Sequence, residues 1–97
     1  MRRNQKLTGV IAGRTVQRAT AEPGKLCINF DDHSTMQVKT ARIADMFPPG
    51  GKIKAVQEDG AEFRLQLDDG STIRVELADP GASVAVRNKD NQVEYLG

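Results

Sequence analysis

The residues with the most reactive side chains lie together in one short stretch, Asp31-Asp32-His33-Ser34. His33 is the only histidine of the chain, and a serine nucleophile needs a base of this kind beside it. In a catalytic triad, however, the three groups converge from separate elements of the fold. Neighbouring residues of one tight turn do not supply that geometry, so this stretch predicts a turn and not a hydrolytic site.

The single cysteine, Cys27, is the next candidate for chemistry. A reactive thiol needs a helix N-terminus or a nearby cation that stabilises the thiolate. The alternating pattern around Cys27 puts it on the wetter face of a strand, where only Lys25 is close in sequence. We therefore expect an unactivated thiol, and a lone cysteine also excludes an internal disulfide.

The sequence contains no pattern typical of a metal or phosphate site. Zinc takes about four Cys, His or carboxylate ligands and calcium takes a carboxylate-rich loop. The acidic pairs Asp31-Asp32 and Asp68-Asp69 instead fit turns, in which Asp is favoured. Gly50-Gly51-Lys52 has neither the preceding strand nor the spacing of a P-loop. We expect no metal, no cofactor and no catalytic activity.

A basic segment near the N-terminus is the remaining candidate for binding. The chain up to Arg42 holds eight Lys or Arg against three acids, and the rest holds six against ten, although the net charge is +1. Such asymmetry marks a face for nucleic acid or an acidic partner, or it lets the two halves attract each other. The residues that would contact an anionic partner are Arg2, Arg3, Lys6, Arg14 and Arg18.

Aromatic residues argue against a protein that binds single-stranded nucleic acid, because such proteins stack bases on exposed rings. Phe30 and Phe63 fall on apolar faces, and Tyr95 lies beside Val93 in an alternating segment. A non-catalytic protein-interaction or assembly module is therefore the favoured function. The alternative is a small β-barrel that binds nucleic acid through the basic segment.

The elements that must position these residues follow a repeated pattern. Residues 24–41 and 61–78 align without a gap at an offset of 37, with six of 18 positions identical. A weaker match upstream extends the pseudo-repeats to 14–41 and 51–78. Two unrelated hairpins with the same turn chemistry are the alternative, but we favour a duplication within one domain that spans residues 1–97.

Apolar and polar residues alternate in both copies, which indicates half-buried strands joined by a tight turn. We expect an odd-numbered loop with Leu67 opposite Ile73, and positive φ at Gly70 and at its counterpart His33. The predicted core comprises Leu26, Ile28, Phe30, Met36, Val38, Phe63, Leu65, Leu67, Ile73, Val75 and Leu77.

Further elements surround the two copies. Strands are predicted at 7–12, 14–20, 52–57, 83–87 and 92–96. The last two form a hairpin with one apolar face of Val84, Val86, Val93 and Tyr95. One short helix is predicted over 41–47, with Thr40 as its N-cap. The fold class is therefore all-β with one short helix, a duplicated antiparallel meander that forms a small barrel or sandwich.

The surroundings of the protein can also be predicted. No apolar run follows the basic N-terminus as a signal peptide requires, and none approaches the roughly 18 residues of a membrane span. We expect a cytoplasmic protein without a membrane partner. About eight strands are near the limit of a small closed barrel, and an open barrel leaves edges that pair with other chains. Protein partners are thus expected, including a homodimer through a strand edge.

Overall fold

Two antiparallel sheets form a sandwich-like fold. The structure is a computed structural model that describes residues 2–43 and 49–97. The predicted β-rich class with one short helix is confirmed, and the described strands form no closed barrel. The elements are β1 (Arg2–Arg3), α1 (Gln5–Ile11), β2 (Val16–Glu22), β3 (Lys25–Phe30), β4 (Thr35–Lys39), β5 (Ile53–Asp59), β6 (Glu62–Leu67), β7 (Thr72–Glu76), β8 (Val84–Arg87) and β9 (Val93–Leu96).

Each sheet contains one three-stranded meander, β2-β3-β4 or β5-β6-β7. Strand β1 from the N-terminal end extends the second meander, and β8 and β9 from the C-terminal end extend the first. The four-stranded sheet has the order β1-β5-β6-β7, and the five-stranded sheet has the order β2-β3-β4-β8-β9. Isolated bridges pair Thr15 with Lys52 and Thr40 with Leu77. The two meanders therefore meet at two corners, and the core lies between them.

The meanders β2-β3-β4 and β5-β6-β7 have the same strand bounds at a constant offset of 37 residues. The pairing register is also equivalent, including a shift between Val16 and Arg18 that recurs between Ile53 and Ala55. Both corner bridges join a residue to its own counterpart, 15 to 52 and 40 to 77. Pairing of this kind places an approximate two-fold axis through both corners.

Backbone hydrogen bonds at the corners are reciprocal under the same offset. The amide of Val16 donates to the Gly51 carbonyl at 2.8 Å, and that of Ile53 donates to the Arg14 carbonyl at 3.0 Å. At the other corner the Ala41 amide donates to the Glu76 carbonyl at 2.9 Å, with the matching bond from Ala78 to Lys39 at 3.0 Å. The two-fold relation thus holds for individual bonds as well as for whole strands.

Both tight turns have the predicted backbone conformation, with φ of 71° at His33 and 92° at Gly70. The predicted pairing of Leu67 with Ile73 is wrong, because Ile73 lies opposite Leu65. The Leu67 amide donates instead to the Ser71 carbonyl at 2.9 Å, which leaves a three-residue loop. The predicted pairing register of the two strands is displaced by two residues. Side chains alternate with a period of two, so this displacement leaves every side chain on its predicted face.

The core contains all eleven residues predicted for it, and the most exposed of them, Ile73, is 6% accessible. Burial of their side chains between the sheets is the main stabilising contribution to the fold. The ends of the chain add further buried residues, which are Leu7, Ile11, Val84, Val86 and Tyr95.

The strand predicted at 7–12 is wrong, because this segment belongs to helix α1. The Asn4 side chain caps the helix by accepting a hydrogen bond from the Leu7 amide at 2.9 Å. Leu7 and Ile11 lie one turn apart and are fully buried, and the Thr8 hydroxyl accepts a hydrogen bond from the Val56 amide at 3.0 Å. The cap and this buried face favour a helix over a strand.

The helix predicted over 41–47 falls largely on residues 44–47, which lie outside the described residues. Ala41 and Arg42 form a bend and Ile43 has no regular structure. Thr40, predicted as an N-cap, forms the bridge with Leu77. The strands predicted at 14–20 and 52–57 are found, each ending two residues later than predicted.

The C-terminal hairpin is confirmed, but one of its side chains points the other way. A register shift between Val86 and Arg87 pairs Val93 with Arg87, and Val93 is 46% exposed on the outer face. Val84, Val86 and Tyr95 are buried as predicted. In the described part of the chain, no helix has the length and apolar character needed to cross a membrane.

Candidate interaction site

The five basic residues predicted to bind a partner are spread over several elements. Arg3 is exposed on β1 in the four-stranded sheet, whereas Arg18 is exposed on β2 in the five-stranded sheet. Lys6 is exposed on α1. Arg2 also belongs to β1, but its side chain lies outside the described part of the structure. Arg3 and Arg18 therefore lie in different sheets.

Arg14, the fifth of these residues, is engaged within the fold. Its guanidinium binds both carboxylate oxygens of Glu94, at 3.0 and 3.1 Å. It also donates to the Ser34 hydroxyl at 2.9 Å and lies 3.5 Å from the Asp32 carboxylate. The Phe30 ring is 5.9 Å away. Two carboxylates thus balance the charge of Arg14, which connects the first turn to the C-terminal hairpin.

In each of the two tight turns, an Asp and a Ser residue form a hydrogen-bonded pair. The hydroxyl and the amide of Ser34 both donate to one Asp32 oxygen, as those of Ser71 do to Asp69. These bonds lower the pKa of Asp32, and the nearby Arg14 guanidinium lowers it further. They also lower the pKa of Asp69. The Ser34 hydroxyl proton points to a carboxylate, an arrangement suited to fixing a turn.

Cys27 lies half-buried on β3, with its sulfur 3.8 Å from the Asn29 side-chain oxygen. No group of three or more potential metal ligands occurs among the described residues. Neither observation supplies a reactive centre, and the surface that remains to be considered is the sheet edge.

The outer edge of β7 is the feature that breaks the two-fold symmetry most clearly. Its counterpart β4 pairs with β8 over four residues, from Thr35 opposite Arg87 to Val38 opposite Val84. Strand β7 ends its sheet, and within residues 2–43 and 49–97 no strand pairs with its outer side. Of the two equivalent edges, one is therefore paired and the other is unpaired in the part of the chain that the structure describes.

Hydrogen-bond parity shows which groups of β7 point outward. The bonds from Leu67 to Ser71 and from Leu77 to Ala61 assign the odd-numbered residues of β7 to its pairing with β6. Successive residues of an antiparallel strand alternate in the direction of their backbone groups. The amide and carbonyl groups of Thr72 and Arg74 therefore point away from the sheet.

The free edge of β7 ends where the segment that follows β4 bonds to the end of β7. The Glu76 carbonyl accepts a hydrogen bond from the Ala41 amide at 2.9 Å, which closes the edge at that end. The stretch from Thr72 to Val75 remains, and its four residues match the length of β8, Val84–Arg87.

Three arginines lie in one row across the outer face of the four-stranded sheet. Arg3 pairs with Gln57, Gln57 with Arg64, and Arg64 with Arg74. Directly paired residues project on the same side of a sheet. The equivalent row of the other sheet is uncharged and consists of Thr20, Cys27, Gln37, Ala85 and Leu96.

The two arginines nearest the free edge differ in how their charges are balanced. Arg64 lies 3.2 Å from Glu62, but its Nε is buried without a hydrogen-bond partner. Arg74 is exposed and has no ion-pair partner among the described residues, whereas Glu76 next to it is paired with Arg42 at 3.0 Å. Like charges directly opposite each other on a sheet are destabilising. Within the described residues, Arg74 therefore presents a positive charge at the free edge without an ion-pair partner.

A shallow hollow of about 240 Å³ adjoins the same edge. It is lined by Ala61, Glu62, Arg74, Val75 and Glu76. The hollow, the outward backbone groups and the Arg74 side chain together form the candidate interaction site.

The sequence predicted the exposed face of this site but not its role. Arg64 and Arg74 alternate with core residues, so their outward orientation was predictable. The available signal was the sequence correspondence at an offset of 37, which places arginines at 64 and 74 where residues 27 and 37 are Cys27 and Gln37. Comparisons with family models, curated proteins and solved structures found no significant match to this chain.

Proposed function

We propose that the chain is a non-catalytic protein-interaction module that binds an extended segment of a partner along the outer edge of β7. The observation that carries this proposal is the pairing of β8 with β4, because it shows a strand bound at the equivalent position. Addition of a strand to an exposed sheet edge is a general mode of peptide recognition. A cytoplasmic location remains part of this proposal.

The equivalence of the two edges rests on the duplication that we propose for residues 14–41 and 51–78. Its support is the constant offset in strand bounds, register and corner hydrogen bonds. One buried cluster contains apolar residues of both copies, so they form a single domain in this proposal.

The number of outward backbone groups at the free edge limits the affinity that backbone pairing alone can give. Thr72 and Arg74 offer four outward hydrogen-bonding groups, and each bond contributes about 1 kcal/mol net. Four such bonds give about 4 kcal/mol, which corresponds to a millimolar dissociation constant before the cost of association. Backbone pairing alone is therefore weak, and a physiological partner must also be recognised by its side chains.

A homodimer through β7 is also compatible with this edge. With Thr72 of each strand opposite Arg74 of the other, the outward amide and carbonyl groups of both residues pair on each strand. This register places no like charges directly opposite one another. The outer edge of β2 is also unpaired within the described ranges. It offers a second route to the predicted homo-oligomer.

Nucleic-acid binding is the second candidate function, and the exposed Arg3, Lys6 and Arg18 favour it. Its test is the salt dependence of binding to mixed DNA and RNA oligomers, measured by fluorescence anisotropy. Contacts of these three residues to phosphates of duplex DNA predict an affinity loss of roughly 40-fold between 50 and 200 mM salt. Association at a strand edge depends on hydrogen bonds and buried area, which ions screen much less.

Amide hydrogen exchange tests the favoured function. In the free protein, the Arg74 amide should exchange much faster than the Gln37 amide, which lies at the equivalent position opposite Ala85. Addition of a peptide with the sequence of residues 82–88, the β8 region, should slow exchange at Arg74. A slow Arg74 amide in the free protein would show that the edge is already covered and would refute the proposal.

A further inference from the structure

We infer that the segment received by β7 carries a carboxylate at the position opposite Arg74. This inference rests on the proposed function, since it describes the partner of the same edge. A strand paired like β8 would place one residue opposite Arg74, as Ala85 lies opposite Gln37. The side chain of that residue would project on the outer face, next to the Arg74 guanidinium.

The charges around this position favour an acidic residue. On the inner side of the row, Arg74 faces Arg64, and the Arg64 charge is already in contact with Glu62. On the same strand, Glu76 is in contact with Arg42. A carboxylate on the added strand would therefore pair with Arg74 without competition from these acids. A lysine or arginine there would extend the row of like charges.

The neighbouring positions of the added strand have a different chemistry. Residues opposite Ile73 and Val75 would point to the inner side of the sheet, as Val86 and Val84 do opposite Met36 and Val38. The segment is therefore expected to read apolar, acidic, apolar over three residues in extended conformation. This pattern distinguishes the partner from a uniformly acidic chain.

The charged, short edge also limits which segments can bind. Edge strands that are short and carry charged residues resist indiscriminate pairing, and β7 has five residues, including Arg74 and Glu76. Opposite charges across a strand pair contribute enough to change affinity by about two- to fivefold. This change is small, but it acts on a backbone interaction that is itself weak.

Three peptides test the inference. All have the sequence of residues 82–88, and they carry Ala85 unchanged, Ala85→Glu or Ala85→Lys. Binding is measured at low salt from NMR shifts of the Arg74 amide, with the Gln37 amide as the control for displacement of β8. We expect the Glu peptide to bind about two- to fivefold more tightly than the Ala peptide, and the Lys peptide to bind more weakly.

A charge exchange completes the test. The variant Arg74→Glu should reverse the order and prefer the Lys peptide. If the three peptides protect the Arg74 amide with equal affinity, the inference is overturned and the proposed function stands. If none of them protects that amide, both are overturned. Binding that shifts only the Gln37 amide would indicate displacement of β8 and would likewise overturn both.

Discussion

Proline substitution at two equivalent positions tests whether the β7 edge is free. Arg74 and Gln37 occupy the same place in the two meanders, and Arg74→Gln makes the two residues identical. Proline is then introduced at each position by Gln37→Pro or Arg74→Pro. Both changes restrict φ and the preceding residue in the same way, so these costs are similar. The remaining difference is the hydrogen bond that each amide makes.

The magnitude of that difference follows from the pairing. The Lys39 amide donates to the Ser83 carbonyl at 2.8 Å, and alternation along β4 assigns the Gln37 amide to Ala85. Gln37→Pro removes this donor and leaves the Ala85 carbonyl unpaired within the sheet, at a cost of about 1–3 kcal/mol. The Arg74 amide points outward, so Arg74→Pro breaks no bond of the ladder. Proline is tolerated at edge positions of this kind.

Urea denaturation of four proteins measures the effect. The loss from wild type to Gln37→Pro should exceed the loss from Arg74→Gln to Arg74→Pro by about 1–3 kcal/mol. Replacing Arg74 by any neutral residue also removes its repulsion with Arg64. Because Arg74→Gln already lacks this repulsion, comparison of Arg74→Pro with Arg74→Gln measures the effect of proline alone. Equal losses at the two positions, or a larger loss at position 74, would refute the assignment of β7 as a free edge.

Three further predictions concern the fold. His33→Gly should leave stability unchanged or increase it, whereas Gly70→Val should lower the melting temperature through a loss of about 1–2 kcal/mol, because valine is strained at positive φ. Leu65→Ala should cost about 2–5 kcal/mol in chemical denaturation, far more than Arg64→Ala, and similar losses would contradict the face assignment. The third concerns pH. The folded pKa of Asp32 is lowered from its ordinary value of 3.8. Its contribution to stability is therefore present above that pH and is lost as pH falls through the folded pKa. The variant Asp32→Asn should show a weaker decrease of unfolding free energy below pH 3.8, and an unchanged acid profile would contradict this role.

Local sequence patterns were sufficient to predict the core residues and the conformation of the two tight turns. Alternation fixes the face of each residue in a strand, so even a misplaced partner for Leu67 left the core assignment intact. The turn conformations followed from the small set of residues that accept positive φ, which includes Gly70 and His33. These features depend on neighbours within a few residues, where the sequence carries most information.

Elements stabilised by distant contacts were predicted less well. The segment from Leu7 to Ile11 is short and contains Gly9, so its own pattern did not favour a helix. The Asn4 cap lies three residues before Leu7 and is a local signal that the strand prediction missed. Burial against β5, where Thr8 meets Val56, instead joins distant residues. The outward turn of Val93 likewise depends on an irregularity in the pairing with Arg87. Neither contact is visible in a single stretch of sequence.

The candidate site could not be predicted, because an edge is defined by strand order. Arg74 and Gln37 have the same local pattern, and only the position of β8 makes one of them central and the other terminal. The predicted basic segment had a clear signal in charge, yet Arg14 of that segment is bound by Glu94, which is far away in sequence. Charge composition does not reveal such internal pairing.

Connectivity explains why one of two equivalent edges is filled. Leu77 pairs with Thr40, so the chain leaving β7 arrives beside the end of β4. It turns at residues 79–82 and returns along β4 as β8. The chain leaving β4 arrives beside β7 at the same corner, but it must continue to β5, which begins at Ile53. A two-fold arrangement has two such edges, whereas a single chain has one C-terminal hairpin. Among the described residues the edge of β7 is therefore unpaired, because the C-terminal hairpin occupies only the equivalent edge of β4.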